Sequence, residues 1–209
     1  MKQNILIDRL PETVDIGGRK YPINYGYRAN MLIEMCMFSE DRSDEQKLLD
    51  SLNIFYKNSI PADRNKAMEK LLWFFRCGKE EDRKPGGAGM KKHMIRAYCF
   101  DTDDAMIYAA FRSQYGINLN KTKNDDLHWW EFMAMFHSLS EDLLIKRVMY
   151  YRTADLNGMG KNQKAFIKKM RKLYAIKSPE CSLDDKAKLA KRNADMKEYV
   201  RKRMEECRK

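Results

Sequence analysis

The side chains that could do chemistry are three histidines (His93, His128, His137), five cysteines (Cys36, Cys77, Cys99, Cys181, Cys207) and the acidic pairs Asp103-Asp104, Asp125-Asp126 and Asp184-Asp185. At the right spacing such residues hold a metal or run acid–base and nucleophilic catalysis. The spacing here serves neither. His128 and His137 lie nine apart on one predicted helix, so they do not meet as i, i+4 ligands, and no H-E-x-x-H pattern occurs. Each acidic pair sits at a predicted helix start, where capping and the helix dipole account for it. The cysteines are odd in number and scattered, with no C-x-x-C pair, which argues against a zinc site and a disulfide framework. They read as reduced thiols of a cytosolic protein. Gly86-Gly87-Ala88-Gly89 lacks the preceding apolar strand and the G-K-[ST] ending of a phosphate-binding loop. The chain therefore reads as a non-enzyme that needs no cofactor and no metal.

The elements that would position these residues are mostly helical. Thr13–Ile16 and Arg19–Ile23 flank Gly17-Gly18, a hairpin signature, and Pro22 confines the second arm to an edge. Ile5-Leu6-Ile7 reads as a further short strand. A helix is expected over Tyr27–Phe38 with Met31, Leu32, Met35 and Phe38 on its buried stripe. The next starts at a capping box, Ser43 to Gln46, and buries Leu48, Leu49, Leu52, Phe55 and Tyr56. A third is capped by Asp63, carries Ala67, Leu71, Leu72, Phe74 and Phe75, and ends on Gly78 as the left-handed C′ residue. Residues 79–96, charged and rich in glycine, read as a flexible linker.

A second lobe, residues 97–160, holds three more helices. They are expected to start at Asp101 or Thr102, at Asn124 or Asp125, and at Ser140-Glu141-Asp142. Residues 161–209 read as two basic helices: the first, Lys161 to Lys177, sets Phe166, Ile167, Met170, Leu173 and Tyr174 on one apolar side, and the second is capped by Ser182 with a thin apolar stripe of Leu189, Met196, Val200 and Met204. The predicted architecture is thus mainly α. An N-terminal β-hairpin and three-helix lobe (1–78) is joined by the linker to an aromatic-rich helical lobe, with basic C-terminal helices.

Net charge is +11, and residues 161–209 carry 17 Lys and Arg against 7 Asp and Glu. A near-neutral body with a basic end suits nucleic acid, an acidic membrane surface or an acidic protein partner. Lys168, Lys169, Arg171 and Lys172 are the candidates for such electrostatic contact. No zinc-finger or RNP1-like pattern supports nucleic acid, and pairs such as Glu198 with Lys202 suggest an ordinary solvated helix. No run approaches the ~18 apolar residues of a membrane span, and the N-terminus lacks the apolar core of a secretory signal.

The Trp129-Trp130 pair lies in the densest aromatic block. Neighbouring helix positions are ~100° apart, so the two rings do not share one narrow stripe. One is expected in the core and the other toward a partner, although burial of both between neighbouring helices explains them equally well. The candidate partner-binding set is Tyr108, Trp129, Trp130, Phe132 and Phe136. Fifteen methionines add adaptable apolar surface, as core filler or as a forgiving binding face.

Several stretches together resemble one family. They are Asp104–Phe111, Gln114–Leu119, Leu127–Phe132, Leu139–Asp142 and Val148–Arg152, with Leu71–Gly78 ahead of the Lys- and Gly-rich linker and Leu10-Pro11 through Tyr21-Pro22-Ile23. This combination is similar to the phage "protein fifteen" family of long-tailed phages and prophages, over roughly residues 10 to 175. The resemblance implies a tail-morphogenesis protein whose gene sits just ahead of the tape measure gene, the place of a tail assembly chaperone. It implies the tape measure and tail tube proteins as partners, action in the host cytoplasm, and absence from the mature virion. A minor tail or connector component is the alternative within that class, and a nucleic-acid-binding accessory protein the alternative outside it. Self-association stays open.

Overall fold

The computed structural model describes residues 4–39, 41–79, 96–176, 198 and 201–205. The chain is mainly helical with an N-terminal two-stranded hairpin. In order, its elements are β1 (Thr13–Ile16), β2 (Arg19–Pro22), α1 (Tyr27–Met37), α2 (Asp44–Phe55), α3 (Arg64–Phe75), α4 (Asp104–Tyr115), a 3-10 turn (Asn124–Asp126), α5 (Trp129–His137), α6 (Leu144–Thr153) and α7 (Lys161–Leu173). The described residues fall into two compact units. Unit 1 draws on Met1–Glu81, Thr122–Met135 and Pro179–Lys209, and unit 2 on Asp82–Lys121 and Phe136–Ser178. The expected 97–160 lobe is therefore not one body, because Thr122–Met135 belongs with the hairpin and the first three helices. The proposed linker lies almost wholly in residues 80–95, outside the described residues.

In unit 1 the hairpin forms as its sequence dictates. Gly17 and Gly18 have φ of 61° and 80°, the left-handed pair that a type I′ turn needs. Antiparallel register sets Val14 opposite Tyr21 and Ile16 opposite Arg19, and turns Val14 and Ile16 into the core. Ile5-Leu6-Ile7 is not a strand. The Asp8 N–H donates to the Asn4 carbonyl at 2.8 Å and the Asn4 N–H to the Asp8 carboxylate at 2.8 Å, so the segment closes into one isolated turn with its apolar side chains exposed.

Helix α2 starts as expected, with Ser43 and Gln46 forming a reciprocal capping box, although Leu49 faces solvent. Helix α1 departs from its expected stripe. Ala29, Ile33 and Cys36 are buried together with Leu32, while Met31 and Met35 are half-buried and Phe38 is exposed. The helix is covered on two sides, by α2 and by the 3-10 turn, so a single narrow stripe does not describe it. Two buried asparagines lock its entry. Asn30 Nδ2 donates to the carbonyls of Asn24 and Gly26, each at 2.9 Å, and the Asn24 N–H donates to the Phe55 carbonyl at 2.7 Å.

Asp63 caps α3 by accepting from the Lys66 N–H at 3.1 Å. The exit differs from expectation by one residue. The left-handed C′ position is held by Cys77, at φ 56°, and Gly78 is C″, donating to the Trp73 carbonyl at 3.0 Å while Cys77 donates to that of Phe74 at 2.9 Å. This is a Schellman motif with a non-glycine residue in the strained place. Burial pushes the Cys77 thiol up to about 11, which keeps it protonated and a poor nucleophile at neutral pH.

In unit 2, α4 is preceded by Asp103 rather than Asp101 or Thr102, and the Asp103 carboxylate makes no cap bond. Gly116 ends the helix in the left-handed conformation. Helix α6 starts after Leu143, and Ser140 bonds Asp142 in the turn ahead of it instead of capping. Ile145, Val148, Tyr151 and Arg152 form its buried face. Helix α7 stops at Leu173. Most of the expected last helix lies outside the described residues, but Glu198 and residues 201–205 are helical, and Glu198 pairs with Lys202 at 3.0 Å as its spacing suggests.

Candidate interaction surfaces

The tryptophan pair is built from a short extended segment. Leu127–Trp129 runs antiparallel to Tyr25–Tyr27: the Trp129 N–H donates to the Tyr25 carbonyl at 2.8 Å and the Tyr27 N–H to that of Leu127 at 3.1 Å. Helix α5 follows at once, and His128 caps it. Its Nδ1 accepts from the Trp130 N–H at 3.0 Å while Glu131 reaches back to the His128 N–H at 3.0 Å. The expected start at Asn124 or Asp125 is thus displaced, because those residues spend themselves on the separate 3-10 turn.

Both indoles then reach carbonyls in the last turn of α3: that of Phe75, which has no backbone donor in the helix, and that of Phe74, which also accepts from the Cys77 N–H. Trp129 Nε1 donates to the Phe75 carbonyl at 3.1 Å and Trp130 Nε1 to that of Phe74 at 2.8 Å. Trp129 stacks on Phe75 at 5.1 Å and Trp130 meets Trp73 edge-on at 5.6 Å. The expectation that one tryptophan faces a partner is corrected, since Trp129 is 0% and Trp130 3% exposed. Phe132 and Phe136 are likewise fully buried. Of the five candidate contact residues only Tyr108 is exposed, with its hydroxyl 3.3 Å from the Asn118 side chain.

Gly78 closes against this cluster. A Cβ there would stand 2.8 Å from Trp130 Cη2, at a φ of 71° that disfavours any side chain. Gly78→Ala is expected to lower stability by about 1–2 kcal/mol through the backbone alone, with the ring clash added. Denaturant unfolding followed by tryptophan fluorescence measures it, because Trp73, Trp129 and Trp130 all belong to unit 1.

His128 has one workable protonation state. Nδ1 is occupied as an acceptor, so the proton sits on Nε2, 3.2 Å from the Pro11 carbonyl. Burial holds its pKa below the ordinary histidine value, against weaker opposing pulls from the Pro11 carbonyl and Glu131. The unfolded chain therefore takes up this proton at higher pH than the folded one. The stability contribution is complete above about 6.5 and is lost as pH falls from there through the folded value. Unfolding midpoints are expected to be level above that point and to drop below it. His128→Gln should flatten this drop, and a wild-type midpoint level down to about pH 5 would contradict the assignment.

Unit 2 carries its charge differently. A buried ion pair ties it together: Arg152 grips Asp103 through Nη1 and Nη2, at 2.6 and 2.9 Å. Arg152 also donates to the carbonyls of Ala97 at 3.0 Å and Tyr174 at 2.7 Å, and Asp103 accepts from the Cys99 N–H at 2.8 Å. Arg171 of α7 donates to the carbonyls of Tyr151 at 3.1 Å and Ala154 at 2.7 Å. Of the four candidate electrostatic residues, Arg171 is thus spent on the fold, whereas Lys168, Lys169 and Lys172 are exposed.

The family model described as Bacteriophage Gp15 protein matches residues 6–176. The chain belongs to this phage protein family. No curated protein and no solved structure matches it. The region matched to the Bacteriophage Gp15 protein family takes in every helix from α1 to α7, so the tryptophan cluster, the Asp103–Arg152 pair and α7 all lie within it. The basic residues after 176 lie outside. Among the described residues no helix is long and apolar enough to cross a membrane.

The apolar side chains left at the surface of the family region differ from those that composition favours. They are Leu6 and Ile7 in the first turn, Met37 and Phe38 at the end of α1, Leu49 on α2, Tyr108 on α4, Leu144 and Tyr150 on α6, and Phe166 and Leu173 on α7. Sequence reasoning placed Phe166 and Leu173 on the buried side of α7. Only Ile167 is fully buried there, because one face of the helix suffices to dock it.

Proposed function

We propose that this phage protein is a non-catalytic tail assembly chaperone. It binds the tape measure protein in the host cytoplasm, helps recruit tail tube subunits and leaves before the virion is complete. Family membership supports the phage setting. The observation that carries the chaperone reading is the set of large apolar side chains held exposed on a folded body, above all Leu173 and Phe166 beside the lysines of α7. Such surface suits an apolar helical client better than it suits a small substrate.

Co-expression with the tape measure protein of the same tail gene cluster tests this. The expected result is a soluble complex recovered by pull-down, with the chain missing from purified virions by mass spectrometry. A tape measure protein that stays insoluble and unbound overturns the reading. Presence in the virion would make the chain a minor tail component instead. One observation favours a second reading: α7 has six Lys and Arg and no acidic residue. A steep fall of duplex affinity with salt, removed by deleting residues 161–209, would identify a nucleic-acid-binding protein.

A further inference from the structure

Helix α7 presents two faces. The inner one is Ile167, with Met170 and Tyr174 at its margins. The outer one carries Phe166, 49% exposed, Lys169, and Leu173, 67% exposed, at i, i+3 and i+7. That spacing lines them up on one ridge, about 10 Å long at 1.5 Å per residue. Phe166 leans edge-on against the buried Tyr151 of α6 at 5.9 Å. The ridge is not a loosely placed end. Arg171 anchors α7 to two carbonyls and Arg152 holds the carbonyl of Tyr174 just past it.

We propose that this ridge is the docking surface for an amphipathic helix of the tape measure protein whose apolar stripe is edged by Asp and Glu. The inference rests on the chaperone reading and gives it a surface and a partner chemistry. A row of side chains at i, i+3 and i+7 interlocks with the groove of another helix. An extended segment would need a sheet edge, which α7 does not offer. The flanking charge selects the acidic edge: among the described residues Lys168, Lys169 and Lys172 form no ion pair, and α7 has no acidic residue to answer them.

Three other occupants fit less well. The chain's own residues 177–209 carry eleven Lys and Arg against seven Asp and Glu, so they would be repelled. A membrane surface would gain too little from two exposed apolar side chains on a helix whose other face is already docked. Nucleic acid would use the lysines and leave Leu173, an aliphatic side chain with nothing to stack, unexplained.

Full-length wild type, Phe166→Glu/Leu173→Glu and Lys168→Glu/Lys169→Glu/Lys172→Glu are co-expressed with the tape measure protein. Circular dichroism and the thermal midpoint establish that both variants fold, as exposed positions allow. The expected result is a soluble wild-type complex, a loss of about tenfold or more in affinity for each variant, and weakening of the wild-type complex by salt. A photo-crosslinking residue at position 173 should mark a helical segment rich in Asp and Glu. If the wild type solubilises the tape measure protein and folded variants do so equally well, the ridge is not the docking surface and the chaperone reading stands. If the wild type fails, both fall. Crosslinks to a basic segment, or loss of duplex binding in place of partner binding, also overturn the inference.

Discussion

Arg152→Ala is expected to destabilise unit 2 by about 3–5 kcal/mol, the usual cost of breaking a buried ion pair from one side. The guanidinium donates to Asp103 twice and to the carbonyls of Ala97 and Tyr174. Its removal leaves a carboxylate with 2% side-chain exposure facing no countercharge, and two carbonyls lose a donor. The damage should exceed the worth of the pair itself, since replacing both partners by apolar side chains removes the orphaned charge too. Asp103→Leu/Arg152→Met is therefore expected to sit closer to wild type than Arg152→Ala alone. Denaturant titration with amide exchange read on α4 and α6 measures both. A single variant no worse than the double would show that the pair is not held in a dry interior. The function would feel this change indirectly, because Arg152 holds the exit of α7.

What could be read in the sequence was local. Gly17-Gly18 specifies its own turn through backbone conformation, and Ser43 with Gln46 specifies a helix start through bonds spanning three residues. The hairpin, the order of helices and the family all followed from signals of that range. Asp103 shows where such signals stop. Asp101, Thr102, Asp103 and Asp104 are equivalent as caps by type, and the one that turns inward is chosen by Arg152, 49 residues away. The same limit hid the composition of unit 1. Thr122–Met135 follows α4 in sequence but pairs its backbone with Tyr25–Tyr27, and a reading that cuts the chain into consecutive lobes has no means of finding that bridge. His128 went unrecognised as a cap because helix starts are sought among Ser, Thr, Asp and Asn, although a neutral imidazole nitrogen accepts equally well.

Charge and apolar pattern misled in opposite ways on α7. Arg171 looked like one of four equivalent surface cations, yet its planar fork bridges two carbonyls, a role the neighbouring lysines do not share. Phe166 and Leu173 looked like core by helical spacing. A thirteen-residue helix docked along one side has room for only part of its apolar stripe, and the remainder is what a partner can use.

Trp129→Ala is expected to lower the stability of unit 1 by about 3–5 kcal/mol, the range for emptying a large buried aromatic site. The indole is fully buried, stacks on Phe75 and Phe132, and supplies a donor to the Phe75 carbonyl. Trp129→Phe keeps most of the ring but leaves that carbonyl only the weak Cys77 thiol donor at 4.0 Å, so a smaller loss of about 1–3 kcal/mol is expected. Far-UV circular dichroism against denaturant measures both, with the remaining indoles Trp73 and Trp130 as a second probe of the same unit. The order matters for any search for contact residues. An alanine at position 129 that abolishes partner binding would do so by unfolding its own unit, and the melting curve would show it. Leu173→Ala removes an exposed side chain and should leave the melting curve in place. A binding loss there, unaccompanied by a stability loss, is the signature of contact. If Trp129→Ala left stability untouched and still lost the partner, the buried geometry of the tryptophan pair would be wrong and the contact surface would move back to α5.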